Sequence, residues 1–177
     1  MHETELEHSQ YIISELLSTL IAADELGLTV AEIEGDAVLF YQEGRVPPAG
    51  QVLAQAQAFG AAFYAWIAAY ARTCTCTCAA CQAVARLSLK VVAHAGPLGF
   101  TTVLQQRKPF GETVVVAHRL LKNDIPGHEY LLLTEGLLGQ PAPTRIAPGY
   151  EAQRGRATYP ELGEIRFVYL PLPRPEA

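Results

Sequence analysis

The stretch Leu28-Thr29-Val30-Ala31-Glu32-Ile33-Glu34-Gly35-Asp36-Ala37-Val38-Leu39-Phe40-Tyr41 decides the fold class. Two extended runs rich in Val, Ile, Phe and Tyr flank Gly35-Asp36. A two-residue hairpin turn with glycine first explains that pair, because glycine tolerates the positive φ such turns require. On the N-terminal side, Thr4 with Glu7 makes a capping box. Leu6, Ile13, Leu16, Leu17, Leu20 and Ile21 then recur at helical spacing until Gly27, which predicts a first helix over about 4–26. On the C-terminal side, after Pro47-Pro48, the residues Val52, Phe59, Phe63, Trp66, Ile67 and Tyr70 share one face of a second helix ending near Arg72.

Further along, Leu87, Leu89, Val91 and Ala93 alternate with Ser88, Lys90, Val92 and His94, the period of a strand, and Gly96-Pro97 closes it. Residues 101–105 read as the partner of that strand, 111–123 as a third helix stopped before Pro126, and 130–134 and 165–170 as later strands. The Pro, Gly and Arg content of 139–163 reads as a long loop. The order predicts an α+β domain with helices on one face of a mainly antiparallel sheet. A single domain is expected over 1–177, with its core in about 4–134. A sheet of this kind normally feeds its first helix from a strand, so the first strand is expected to lie outside this chain or to be missing.

Composition bounds the function. With 177 residues, half of them hydrophobic, the chain can bury one sizeable core without disulfide staples. The net charge is −5 and the basic residues are scattered, which argues against nucleic acid as a partner. The acidic start lacks the basic and apolar regions of a secretory signal, so a cytoplasmic location is expected. The apolar run over 58–71 falls short of the roughly 20 residues that cross a bilayer and reads as a buried helix, with no membrane partner expected.

Two clusters carry chemistry. Glu32 and Glu34 point to one face of a strand and Asp36 follows at the turn, a set suited to a hard cation such as magnesium or manganese, or to a solvated acidic edge that discourages strand pairing. Cys74, Cys76, Cys78 and Cys81 fall within eight residues, and such crowding needs a common cause. Reduced thiols in a chain without an export signal favour zinc over disulfides, with redox chemistry and plain packing as alternatives. Three ligands are easier to supply than four, and His94, a neighbouring chain or water is expected to complete the site. A third candidate is Arg119, one turn beyond Val115 on the helix opened by Gly111, where a guanidinium can reach a phosphate or simply meet solvent.

Taken in order, the segment 4–41 with Glu32-Ile33-Glu34-Gly35-Asp36, the run Leu89-Lys90-Val91-Val92-Ala93-His94-Ala95-Gly96, and 111–121 resemble the catalytic domain of the class III adenylate and guanylate cyclases, in a bacterial branch of that superfamily. The resemblance implies a ferredoxin-like βαββαβ core and a head-to-tail homodimer with purine nucleotide sites between chains. Under it, Asp36 is the second metal-binding aspartate, Arg119 the arginine that stabilises the transferring phosphoryl group, and Glu32 and Lys108 the base-choosing positions. Val115 stands where the family orients the ribose with asparagine, Lys108 matches neither base type, and the first strand with its metal aspartate would precede Met1. The resemblance therefore implies a diverged nucleotide-binding or dimerising signalling module, inactive as it stands. A zinc-knuckle interaction module on the same scaffold is the alternative, and an active cyclase in a longer form of the protein a third.

Overall fold

The computed structural model describes residues 2–172 and residue 174. Its elements run α1 (His2–Ala22), β1 (Thr29–Glu34), β2 (Ala37–Tyr41), α2 (Ala49–Thr73), α3 (Ala79–Ala83), β3 (Lys90–Ala93), β4 (Gly99–Val103), β5 (Gln106–Phe110), α4 (Glu112–Leu121), β6 (Tyr130–Thr134), α5 (Glu135–Leu138), β7 (Arg145–Ala147), β8 (Tyr150–Glu151), β9 (Gln153–Tyr159) and β10 (Gly163–Pro171). The class is α+β, as the element pattern predicts. Four strands form the main sheet in the order β3-β6-β10-β9, with β3 parallel to β6 and the other pairs antiparallel.

The centre of that sheet is β6, Tyr-Leu-Leu-Leu-Thr, buried at every position. Such a strand has no solvent face, so the sheet must be covered on both sides. Helix α2 covers one side, where Leu53 and Ala56 meet Leu131, Leu133, Val168 and Leu170. Helix α4 covers the other, where Val116 and Leu120 meet Tyr130, Leu132 and Phe167. Helices on one face only is therefore corrected to helices on both. Each fully buried leucine of β6 contributes roughly 1.5–3 kcal/mol of transfer free energy.

The predicted hairpin forms as read: β1 pairs β2 antiparallel about Gly35, whose φ is 59°. It stays a two-stranded sheet of its own, and Phe40 stacks on Phe59 of α2 at 5.6 Å. The strand predicted over 101–105 does not partner β3. It pairs with β5 through a tight turn at Leu104 and Gln105, both at positive φ. The neighbour of β3 is β6, and a parallel pair of this kind needs the long crossover that the β4–β5 hairpin and α4 provide.

The region 139–163 is not a loop: it contains β7, β8 and β9. In β9 the outward positions Arg154 and Arg156 alternate with Gly155, Ala157 and Tyr159. The arginines that made this stretch look like a loop are its solvent row. A side chain at Gly155 would meet the ring of Phe167 at 2.3 Å, so the inward position stays empty to admit that ring.

Helix α1 lies antiparallel against α2, burying Ile12 and Leu16 on Phe63, Tyr64, Ile67 and Val84. It ends at Ala22, four residues before the predicted limit. The Asp24 carboxylate accepts hydrogen bonds from Leu26 N–H at 3.0 Å and Leu28 N–H at 2.6 Å, which bend the chain out of the helix. Buried Gln55 accepts from the N–H groups of Glu25 and Leu26 and donates to the carbonyl of Ala23. At the other end the helix already runs from His2, so Thr4 lies within it and is not its cap. Helix α2 is long and apolar enough by length and composition to cross a membrane, but its buried row from Val52 to Ile67 packs into the domain core.

Candidate metal centre

The antiparallel pairing of α1 and α2 brings the first turns of α1 to the chain that leaves α2. There α2 ends at Thr73, Cys74 bonds back to the Tyr70 carbonyl, and an extended stretch leads to the short helix α3. Cys76 lies on that stretch, Cys78 precedes α3, and Cys81 sits within it. His8 faces them from α1. The His8 Nδ1 atom is 3.5 Å from Cys78 Sγ and 3.3 Å from Cys81 Sγ, and one donor atom from each of His8, Cys76, Cys78 and Cys81 lies within 4.8 Å of all the others.

These distances fit a tetrahedral ion. With zinc bonds of about 2.0 Å to nitrogen and 2.3 Å to sulfur, nitrogen and sulfur on adjacent corners stand roughly 3.5 Å apart. The donor set is three cysteine sulfurs and one imidazole nitrogen, partly buried, and all four cysteines are free thiols. The group can hold a metal ion such as zinc.

Electrostatics point the same way. The Cys81 backbone N–H and then His8 stabilise the Cys78 thiolate and bring its pKa down to about 6. The Tyr70 hydroxyl, 3.1 Å from Cys81 Sγ, pulls the Cys81 thiol down, yet burial and the neighbouring sulfurs outweigh it and push that pKa up to about 12. One sulfur of the group ionises readily and the crowding then holds the proton on another. Several thiolates can coexist here only beside a cation.

Cys74 is outside the four-donor set. Its Sγ contacts the Cys76 carbonyl at 3.9 Å, and a hydrogen bond with Tyr70 lowers its pKa. His94 is also outside the set: its Nδ1 pairs with Thr134 Oγ1 at 2.8 Å, and burial lowers its pKa. Of the expected sources of the fourth donor, His94 thus lies away from the sulfurs, and His8 is the histidine that stands among them. A readable signal for His8 existed, since it sits at i−4 and i−8 from buried Ile12 and Leu16, on the stripe of α1 that faces the fold.

The acidic hairpin is built differently. Glu32 and Glu34 converge on His118 of α4, with Glu32 Oε1 3.2 Å from Nε2 and Glu34 Oε2 3.4 Å from Nδ1. Asp36 is exposed at the turn and joins no side-chain hydrogen bond or ion pair among the described residues. Arg119, next to His118, turns to Glu161 at 2.5 Å. Lys108 lies on β5, in a different sheet from Glu32, and Val115 is exposed on α4. The structure joins Glu32 and Glu34 to a histidine that the sequence reading did not single out, and among the described residues Asp36, Arg119 and Lys108 make no hydrogen bond or ion pair with them. A groove lined by Leu26, Gln42, Arg45, Pro48 and Gln51 contains none of these residues.

Comparison with known proteins adds kinship. The chain is 30% identical over 123 residues to the uncharacterized protein Rv2561/Rv2562 of Mycobacterium tuberculosis strain H37Rv, a match covering 70% of this chain and 57% of that protein. The chain thus spans little more than half the length of this relative. No solved structure matches. The family model that matches residues 13–130 takes in the four cysteines, the hairpin and α4 but not His8, and the chain belongs to the family it defines, described as protein of unknown function DUF2652.

Proposed function

We propose that this chain is a metal-clasped interaction module, in which zinc held by His8, Cys76, Cys78 and Cys81 pins α1 to the end of α2. The observation that carries the reading is the convergence of four donor atoms, within 4.8 Å of one another, from two segments far apart in sequence. A closed set of three thiolates and one imidazole leaves no position for substrate, so the metal is structural and stabilises the fold. A reducing, cytoplasmic setting suits it, because the thiols must stay unoxidised. Native mass spectrometry of the reduced protein before and after chelation tests the reading. One zinc per chain, lost on chelation, is expected; a reduced protein that carries and takes up no zinc overturns it.

The resemblance to class III cyclases supports a second reading, a diverged cyclase-like module that binds a purine nucleotide with magnesium or manganese and acts as a homodimer. What favours it is the element order of helix, hairpin, helix and strand. In this reading Asp36 takes the ion, Arg119 leaves Glu161 for the phosphates, and Glu32 and Lys108 meet the base. Exposure of Asp36 weighs against it. Titration with Mg²⁺ and either ATP or GTP decides: saturable binding lost in Asp36→Ala is expected, and heat-silent titrations with both nucleotides end the reading. Incubation with Mn²⁺ and either nucleotide would reveal cyclase activity by its cyclic product.

A further inference from the structure

Five candidate donors stand around a centre that needs four. His8, Cys76, Cys78 and Cys81 form the compact set, and Cys74 stands just outside it. Tyr70 stands beside both groups, since its hydroxyl touches Cys81 Sγ at 3.1 Å and its carbonyl accepts a hydrogen bond from the Cys74 backbone N–H at 2.8 Å. Tyr70 is itself fixed by stacking on Trp66 at 5.0 Å. The stretch between Thr73 and Ala79 is neither helix nor strand, so the Cys74 side chain can swing inward without breaking a ladder of backbone bonds.

The donors also differ in what their loss would cost the fold. Three sulfurs lie within six residues of one another and stay together whatever α1 does, whereas His8 reaches the site only because α1 is docked. Residues near a helix start have unsatisfied N–H groups and fray most easily. His8, on the second turn of α1, is therefore the donor most exposed to departure.

We propose that Cys74 is a reserve ligand that replaces His8 on the metal when the start of α1 lifts away, so that the centre alternates between a set of three cysteines with one histidine and a set of four cysteines without losing its ion. In the exchange the metal–nitrogen bond to His8 breaks and the imidazole leaves neutral. The Cys74 thiol gives its proton to solvent and its sulfur takes the vacant corner. No electron changes hands and the metal keeps four ligands. The inference rests on the metal-centre reading and adds regulation to it: docking of α1 becomes reversible at constant metal content.

The test uses the reduced full chain with cobalt(II) in place of zinc, because cobalt reports both geometry and thiolate number in its absorption. The wild type should take up one cobalt per chain with a tetrahedral, three-thiolate spectrum. His8→Ala should keep the tetrahedral spectrum, and its sulfur-to-cobalt band should rise by about a third as three thiolates become four. Adding Cys74→Ser to that variant should return the band to the three-thiolate level and weaken cobalt binding at least about tenfold. Alanine is the strongest helix former, so His8→Ala leaves α1 free to fold, and circular dichroism checks that it does. The proposal is overturned if the His8→Ala band equals that of the wild type and ignores Cys74→Ser, or if His8→Ala binds no cobalt at all. A wild type that binds no cobalt is a separate result, and it removes the metal centre itself.

Discussion

The two donor clusters of this molecule sit at opposite extremes of one problem, how to keep like charges together. At the end of α2, Cys76, Cys78 and Cys81 crowd their sulfurs with only the imidazole of His8 among them. In the hairpin, Glu32 and Glu34 are equally close, but each meets a different nitrogen of His118. The ring stands between the two carboxylates and offers a separate nitrogen to each. In the thiol group the Cys78 and Cys81 pKa values are driven apart to about 6 and about 12. Similar proximity is therefore met in two ways: three thiols share one imidazole in the first cluster, whereas each carboxylate of the second has a ring nitrogen of its own.

The largest effect should come from removing the metal. With free zinc about a thousandfold above its dissociation constant, binding stabilises the fold by about 4 kcal/mol. For a domain of this size each kcal/mol moves the midpoint by about 2–4 °C, so chelation should lower the thermal midpoint by about 8–16 °C. The same chelation of a Cys76→Ser/Cys78→Ser/Cys81→Ser variant should do nothing. A midpoint unmoved by chelation in the wild type would break the contrast between the clusters.

Tyr70→Phe comes next. Its hydroxyl braces Cys81 Sγ from outside the ligand set, and losing such a brace should weaken zinc about 10- to 100-fold while the folded structure persists. Competition with a chelating dye measures it, and an unchanged affinity would reduce Tyr70 to packing against Trp66.

The metal-free protein sharpens the comparison through pH. Cys78 is depressed in the folded state, so the folded chain binds fewer protons than the unfolded one between the folded value of about 6 and the ordinary thiol value. Its contribution to stability is present above the ordinary thiol value and lost as pH falls through about 6. Ultraviolet thiolate absorbance of the apo protein should show one group titrating near pH 6, absent in Cys78→Ser.

The smallest effect belongs to the hairpin. His118→Ala leaves Glu32 and Glu34 facing each other near the surface, and the loss should stay within about 1 kcal/mol and shrink as salt is added. A midpoint shift as large as that of metal removal would show that the carboxylate cluster, too, holds up the fold.

What was legible in the sequence was local. Gly35 announced the hairpin, the spacing of Val52, Phe59, Phe63 and Ile67 announced α2, and the four cysteines announced a site. The errors lie where a tertiary partner decides. Nothing in 101–105 says that its mate is the next strand and not the previous one, since both pairings satisfy the same alternation. Strand β9 hides behind its arginines because its inward row is Gly155, Ala157 and Tyr159, too small at two of three places to look like a core. His8 was missed because a ligand from another helix has no spacing signature, only its place on a buried stripe, and His118 was missed for the same reason.

Gln55 gives the metal centre a wider meaning. It secures the chain just past the C-terminal end of α1 to α2 through three bonds to backbone. From there to His8 the helix runs about 21 Å, the rise of fourteen residues. A rod held at one end by Gln55 and at the other by His8 is a lever on a hinge, and an ion bound by His8 would be its latch. Release of His8 would then set how often the buried apolar row of α1 swings open to meet something else.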